Sequence, residues 1–225
     1  MTSARTPDAD QQVHDRIYQA ILERQLPPGT KLPEERLAAI FGVSRARIRK
    51  VLGRLEVERI IEVVPNRGAF IAQPSFEETE DIFEARLALE PAVVRRLTKR
   101  AGVDEITALR SHVAEEFAAR DRDDKQAMLR LTGEFHNLAA DLAGNAAMAR
   151  PMRELSALTC LAILLYEQPS TETCRADEHL AIVELVEAGD VDRAVEAMVA
   201  HLDAARRSLT FERKESVVDL DAVFG

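Results

Sequence analysis

Residues 42–55, GVSRARIRKVLGRL, constrain this chain more than any other stretch, because five positive charges and no negative ones fall in a segment with helical apolar spacing. Ile48, Val51, Leu52 and Leu55 stand at i, i+3, i+4 and i+7, which makes one apolar stripe for a core. At about 100° per residue, Arg45 and Arg49 lie on one flank of that stripe and Arg47, Lys50 and Arg54 on the other, with Ala46 and Gly53 between them. A strip of small residues between basic rails suits close approach to a phosphate-lined groove; the bland alternative is a solvated basic face without a partner. Ser44 is placed to cap the helix, and Gly42 permits the sharp turn before it.

Charge is divided along the chain in the same sense. Residues 1–74 hold 12 Lys and Arg against 9 Asp and Glu, while the rest holds 18 against 30, so a formal net charge of −9 hides a basic front. An anionic partner suits the front and none suits the back. Two cysteines, Cys160 and Cys174, in 225 residues do not make a disulfide framework and read as small buried hydrophobes. No basic-then-apolar leader and no apolar run of membrane-spanning length occur, which predicts a cytoplasmic protein with no membrane partner.

The flanks give the basic helix a context. Residues 1–10 are polar and read as a disordered arm; a modest helix is expected over 11–25. LPPGTKLP then breaks the helical period as an extended turn, and Pro33 opens a second helix with Glu34 and Glu35 at its N-terminus and Leu37, Ala38 and Phe41 on its buried side. After the basic helix, residues 60–64 and 69–72 are β-rich around the turn PNRG, which predicts a two-stranded wing with Arg67 at its tip. Residues 11–74 therefore read as a winged helix-turn-helix DNA-binding domain.

Beyond Pro74 the β-rich runs stop. Helices are expected over 76–100, 104–120, 125–142, 146–167, 171–188 and 191–213, with Gly102, Gly144 and Gly189 at breaks and Asp104 and Asp190 as caps. The fold class is thus mainly α: a winged helix-turn-helix with a small β-hairpin, then an antiparallel bundle of about six helices over 75–213 and a tail over 214–225 with little pattern. His136, His179 and His201 fall on three of these helices, each sharing a face with apolar or small residues, so all three are expected to point inward. Singly, each reads as a hydrogen-bonded core histidine. Together, one divalent cation satisfies all three, where separate burial needs three separate partners. His14 and His112 lack such companions and read as surface or packing residues.

The run IYQAILERQLPPGTKLPEERLAAIFGVSRARIRKVLGRLEVERIIEVVPNRGAFIA resembles the DNA-binding domain of the GntR superfamily of bacterial transcription regulators, and FEETEDIFEARLALEPAVVRRL resembles the start of the helical effector domain of its FadR-like branch. By that resemblance Arg45 and Arg49 read base edges, Ser44 and Arg47 hold phosphates, and Arg67 with Gly68 enters the minor groove. Lys50 and Arg36 are further candidate DNA contacts, although Glu35 stands where the family has its arginine and Arg36 follows it. Arg59 stands where the family has a helix-ending glycine, so a left-handed residue there would carry a penalty of about 1 kcal/mol. The resemblance also implies a metal site of an aspartate four residues before the histidine of an FH dipeptide plus one histidine from each of the last two helices. Phe135-His136, His179 and His201 match it, but Thr132 stands at the aspartate position, leaving water, an effector carboxylate or Glu134 to complete the shell.

Three histidine ligands with exogenous oxygen suit zinc or nickel. Arg86 matches a family arginine facing the same cavity and is a candidate anchor for a carboxylate effector beside Thr132; the alternative is an intrahelical pair with Glu90. The expected function is a homodimeric, ligand-responsive regulator, a repressor bound to a palindromic operator in double-stranded DNA and released by a small organic acid. Two other classes compete: a metalloenzyme with a three-histidine site, which lacks an evident general base and has no use for a basic head, and an effector-free DNA-binding protein.

Overall fold

Punctuation by proline, glycine and capping residues divides the chain into helices as its sequence suggests, with one strand added and several ends moved. The computed structural model describes residues 9–23, 25–166 and 176–209. Two compact units divide between Gln73 and Pro74. The first begins with α1 (Ala9–Leu22), so Ala9 and Asp10 are helical rather than part of a disordered arm. The physical reason is charge: Asp10 lies in the first turn and pairs with Arg47 at 2.8 Å and Lys50 at 2.7 Å.

After the proline turn, Lys31–Leu32 form β1, a strand where the sequence reads only as an extended turn. Then follow α2 (Glu34–Phe41), α3 (Arg45–Val57), β2 (Ile61–Val64) and β3 (Gly68–Ile71). Pro33 is the N-cap of α2, not its first helical residue. The expected two-stranded wing is a three-stranded antiparallel sheet in the order β1-β3-β2, with Leu32 opposite Ala69 and Ile61 opposite Ile71. Pro65 sets the first corner of the wing turn and Asn66, at φ 61°, takes the left-handed position that asparagine tolerates. Ile17, Ile21, Leu37, Ile48, Leu55 and Ile61 are among the fully buried side chains of this unit.

Arg59 has φ 58°, so α3 does end through a left-handed residue that is not glycine. The backbone N–H groups of Arg59 and Ile60 donate to the carbonyls of Glu56 and Leu55 at 2.9 and 3.0 Å, the double bond of a Schellman motif. Ile60, the residue after the turn, is buried, and its anchoring offsets the conformational strain at Arg59.

The second unit is all helix among the described residues: α4 (Phe76–Arg100), α5 (Val103–Asp121), α6 (Lys125–Leu142), α7 (Ala146–Tyr166), α8 (Ala176–Glu187) and α9 (Val191–Arg207). Ser75 and Glu78 cap α4 reciprocally, and Asp124 and Asp190 cap α6 and α9. Asp104 lies inside α5; Gly102 precedes that helix and its N–H donates to Glu105 at 2.9 Å. α9 stops at Arg207, with Ser208 as C-cap, short of the expected end at Arg213, since the Ser208 hydroxyl and N–H both turn back onto the last-turn carbonyls. The expected start of α8 at Thr171, the end of α7 at Glu167, Cys174 and the tail fall outside the described residues. α4 packs on α9 and α7, and α5 on α6 and α8, around a core that includes Val94, Leu97, Phe135, Met152, Val183 and Leu202. No helix among the described residues is long and apolar enough to cross a membrane.

Replacing Arg59 by glycine removes the steric cost of a side chain in the left-handed region while keeping the Schellman hydrogen bonds. We expect Arg59→Gly to raise the unfolding free energy by about 1 kcal/mol in denaturant titration, with an unchanged m-value.

Candidate metal centre and nucleic-acid face

Five of the six helices of the second unit supply the histidine cluster and the carboxylates around it. His136 comes from α6, His179 from α8 and His201 from α9, and each is 4% exposed or less. Their alternate nitrogens are held apart by carboxylates. His136 Nδ1 meets Glu90 of α4 at 2.6 Å, His179 Nδ1 meets Glu116 of α5 at 2.9 Å, and His201 Nδ1 meets Glu178 of α8 at 2.6 Å. Ionised carboxylates only accept, so this network assigns the proton of each ring to Nδ1 and leaves the Nε2 lone pair facing the centre.

Those lone pairs face one another. His201 Nε2 stands 3.2 Å from His136 Nε2 and 3.4 Å from His179 Nε2, and the three ligand atoms lie within 4.8 Å of one another. Without a shared proton or cation these contacts are repulsive. Two nitrogens bound at ~2.05 Å to a tetrahedral ion lie ~3.3 Å apart, so the spacing fits a metal. Burial holds the ring of His136 down to about 4, against the opposing pull of Glu90, and burial takes His201 down to about 3. Both rings are therefore neutral at pH 7, the form that ligates a metal.

Two of the supporting carboxylates, Glu90 and Glu116, stay ionised although buried. Burial pushes Glu90 up, but the Arg86 guanidinium and the hydrogen bond from His136 hold it far below the usual carboxylate range. Glu116, pushed up by burial too, is held to about 2 by hydrogen bonds from His112 and His179. His112 reaches the Leu131 carbonyl at 2.8 Å and lies 3.5 Å from Glu116, so it buttresses the cluster without joining it. Phe135 stacks on the His179 ring at 3.9 Å between centroids, which fixes the ring plane. His14 is buried in the first unit, where its Nε2 meets Glu58 at 2.6 Å.

Beside the histidines lies a cavity of about 30 Å³ lined by Arg86, Thr132, His136, Ser156, Thr159 and His201, among others. Arg86 makes the intrahelical pair, its Nε donating to Glu90 Oε1 at 2.5 Å; it also lines the cavity, and its buried Nη2 has no partner among the described residues. Thr132, at the expected aspartate position, lines the cavity as well. Glu134 is not among these lining residues and is tied to Arg130 at 2.7 Å. Sequence reasoning missed Glu116 and Glu178 as orienting groups, and Ser156 as a cavity residue. The i, i+4 spacing of His112 with Glu116 was the one available signal.

On the first unit, Ser44 caps α3 by accepting from the Arg47 N–H at 3.3 Å, and Arg45, Arg47, Arg49 and Lys50 are exposed. Arg36, Arg67 and Gly68 are exposed too, and the Arg67 guanidinium lies 5.5 Å from the Phe70 ring centroid. Arg49 makes a two-pronged contact with Glu34, at 3.1 and 2.9 Å, and Arg54 is tied to Glu58 and Gln11. The basic face is thus held in register by acidic neighbours on α1 and α2.

Comparison with known proteins gives this architecture its class. Residues 81–204 match the FCD domain and residues 9–71 the gntR family of bacterial regulatory proteins. The chain belongs to the GntR family of transcription regulators, in the group that carries an FCD effector domain. Among similar proteins, the uncharacterized HTH-type transcriptional regulator YdhC of Bacillus subtilis (strain 168) is 25% identical over 85% of this chain and 87% of its own length. The HTH-type transcriptional repressor RspR of Escherichia coli (strain K12) is 24% identical over 94% and 93%. Escherichia coli McbR/YncC shares the fold, with a TM-score of 0.76 at 14% identity over 90% of this chain and 99% of that one. The two curated relatives are named as transcription regulators.

Glu116→Gln tests whether the orienting carboxylates matter. An amide can donate to His179 and permit the wrong tautomer, so we expect divalent-metal affinity to fall about 10- to 100-fold in chelator competition, with helix content unchanged.

Proposed function

We propose that this protein is a homodimeric cytoplasmic repressor whose grip on a palindromic operator is released by a small carboxylate bound at a metal on His136, His179 and His201. The observation that carries the proposal is the lone-pair geometry of the three imidazoles, each turned inward by its own carboxylate. Zinc or nickel fits the three nitrogens, and the ion supplies a Lewis-acidic site for a carboxylate oxygen. Thr132 adds no negative charge at the position where the resemblance expects one. Arg86, whose buried Nη2 has no partner among the described residues, is the second anchor for the carboxylate.

The DNA-binding half of the proposal rests on the exposed face of α3 and the wing. Arg45 and Arg49 are assigned to base edges, Ser44, Arg47 and Lys50 to phosphates, Arg67 and Gly68 to the minor groove, and Arg36 to the flanking backbone. The repressor sense is carried over from RspR, whose name records it. A coupling of about 1 to 3 kcal/mol between effector and operator is enough for a switch of one to two decades in occupancy.

Binding to DNA upstream of the gene, measured against salt, checks the front half. Arg45→Ala is expected to cost about 1–3 kcal/mol and to relax specificity, whereas Arg47→Ala weakens all sequences alike and lowers the salt slope by about one. Salt-independent or absent binding to that DNA would sink the assignment. Thermal melting with added zinc or nickel checks the back half: a rise of several degrees that His179→Ala abolishes is expected, and indifference to both metal and chelator would refute it.

A further inference from the structure

Two side chains that line the cavity beside the histidines have buried polar atoms with no partner among the described residues: Nη2 of Arg86 and Oγ of Ser156. They are 3% and 2% exposed, so neither is satisfied by bulk solvent. They come from different helices, α4 and α7. Orphaned buried donors are uncommon in folded proteins, and two on one cavity point to a ligand that satisfies both.

Ser156 departs from how hydroxyls elsewhere in these helices behave. Thr79, Thr98, Thr107 and Thr159 each donate to the carbonyl four residues earlier, at 2.7 to 2.8 Å. Ser156 makes no such bond, although Met152 stands four residues before it in the same unbroken helix. Ser156 lines the cavity with Arg86, Thr159 and the two histidines His136 and His201. An alanine of similar size at 156 would pack as well and leave nothing unpaired, so the hydroxyl has no folding role in this arrangement.

We propose that Ser156 is the specificity-determining residue of the effector site, and that the effector is a compact hydroxycarboxylate rather than a plain carboxylic acid. The proposal rests on the small-carboxylate reading given above and adds a residue and a ligand class to it. The free Nη2 of Arg86 takes a carboxylate oxygen, with the guanidinium held by Glu90 on its other side. Ser156 exchanges a hydrogen bond with a hydroxyl near that carboxylate. A cavity of about 30 Å³ holds two to three water-sized groups at roughly 10–15 Å³ each, so the site suits only a compact acid and its lining must move outward to take the five or six heavy atoms of one. A site with a buried hydroxyl discriminates against the analogue that lacks the matching group, because the hydroxyl is then left unpaired.

Calorimetry on the full-length, zinc-loaded protein tests this with acids that differ by one hydroxyl: acetate against glycolate, and propanoate against 2-hydroxypropanoate and 3-hydroxypropanoate. The wild type is expected to bind at least one hydroxylated member about tenfold tighter than its parent. Ser156→Ala is expected to bring that acid to the affinity of the parent, with the metal retained and the melting temperature not lowered. Equal binding of parent and hydroxylated acids by the wild type overturns the role of Ser156 while leaving the carboxylate reading in place. A preference that persists in Ser156→Ala does the same. If none of the five acids binds, the small-carboxylate reading falls and this inference falls with it.

Discussion

The hydrogen bond from each imidazole Nδ1 to a carboxylate is the interaction on which the second unit depends. Three imidazoles are costly to bury unless one nitrogen of each is satisfied, and Glu90, Glu116 and Glu178 do this from three different helices. The same bonds decide what the other nitrogens can do. With Nδ1 protonated, the Nε2 of His201 lies within hydrogen-bond distance of the other two Nε2 lone pairs, a geometry that is unfavourable alone and favourable around a cation. Packing and chemistry are set by one set of contacts here.

The cavity extends that logic. Glu90 is shared between His136 and Arg86, so the arginine that faces the cavity and a histidine of the cluster lean on one carboxylate. Movement of Arg86 toward an anion therefore changes the electrostatic surroundings of His136. This gives the proposed effector a physical route into the helix cores of α4 and α6 without any contact of its own to the ring.

The first unit uses paired charges in another way. Asp10 and Glu34 bind exposed basic residues of α3, and Asp10 extends α1 by doing so. Such surface pairs add little stability and are screened by salt. Their consequence is orientation: Arg49 is held by a two-pronged contact, which limits the directions in which its remaining donors project.

The sequence by itself determined the elements and the inward direction of the histidines. The apolar stripe at Ile48, Val51, Leu52 and Leu55 is buried as its spacing requires, and the helix breaks fall at Gly144, Gly189 and the proline turn, because periodicity and backbone permission are local properties. What local rules do not contain stayed hidden. β1 pairs with a strand nearly forty residues away, so Lys31–Leu32 reads as turn until β3 supplies partners for its backbone. Glu116 and Glu178 look like ordinary charged residues of amphipathic helices, and Ser156 like a helix hydroxyl; contact with a histidine or a place on the cavity gives each its role. Of the two readings of Arg86, the pair with Glu90 is formed, and only the packed helices showed that the same side chain also lines the cavity and keeps a buried Nη2 without a partner among the described residues.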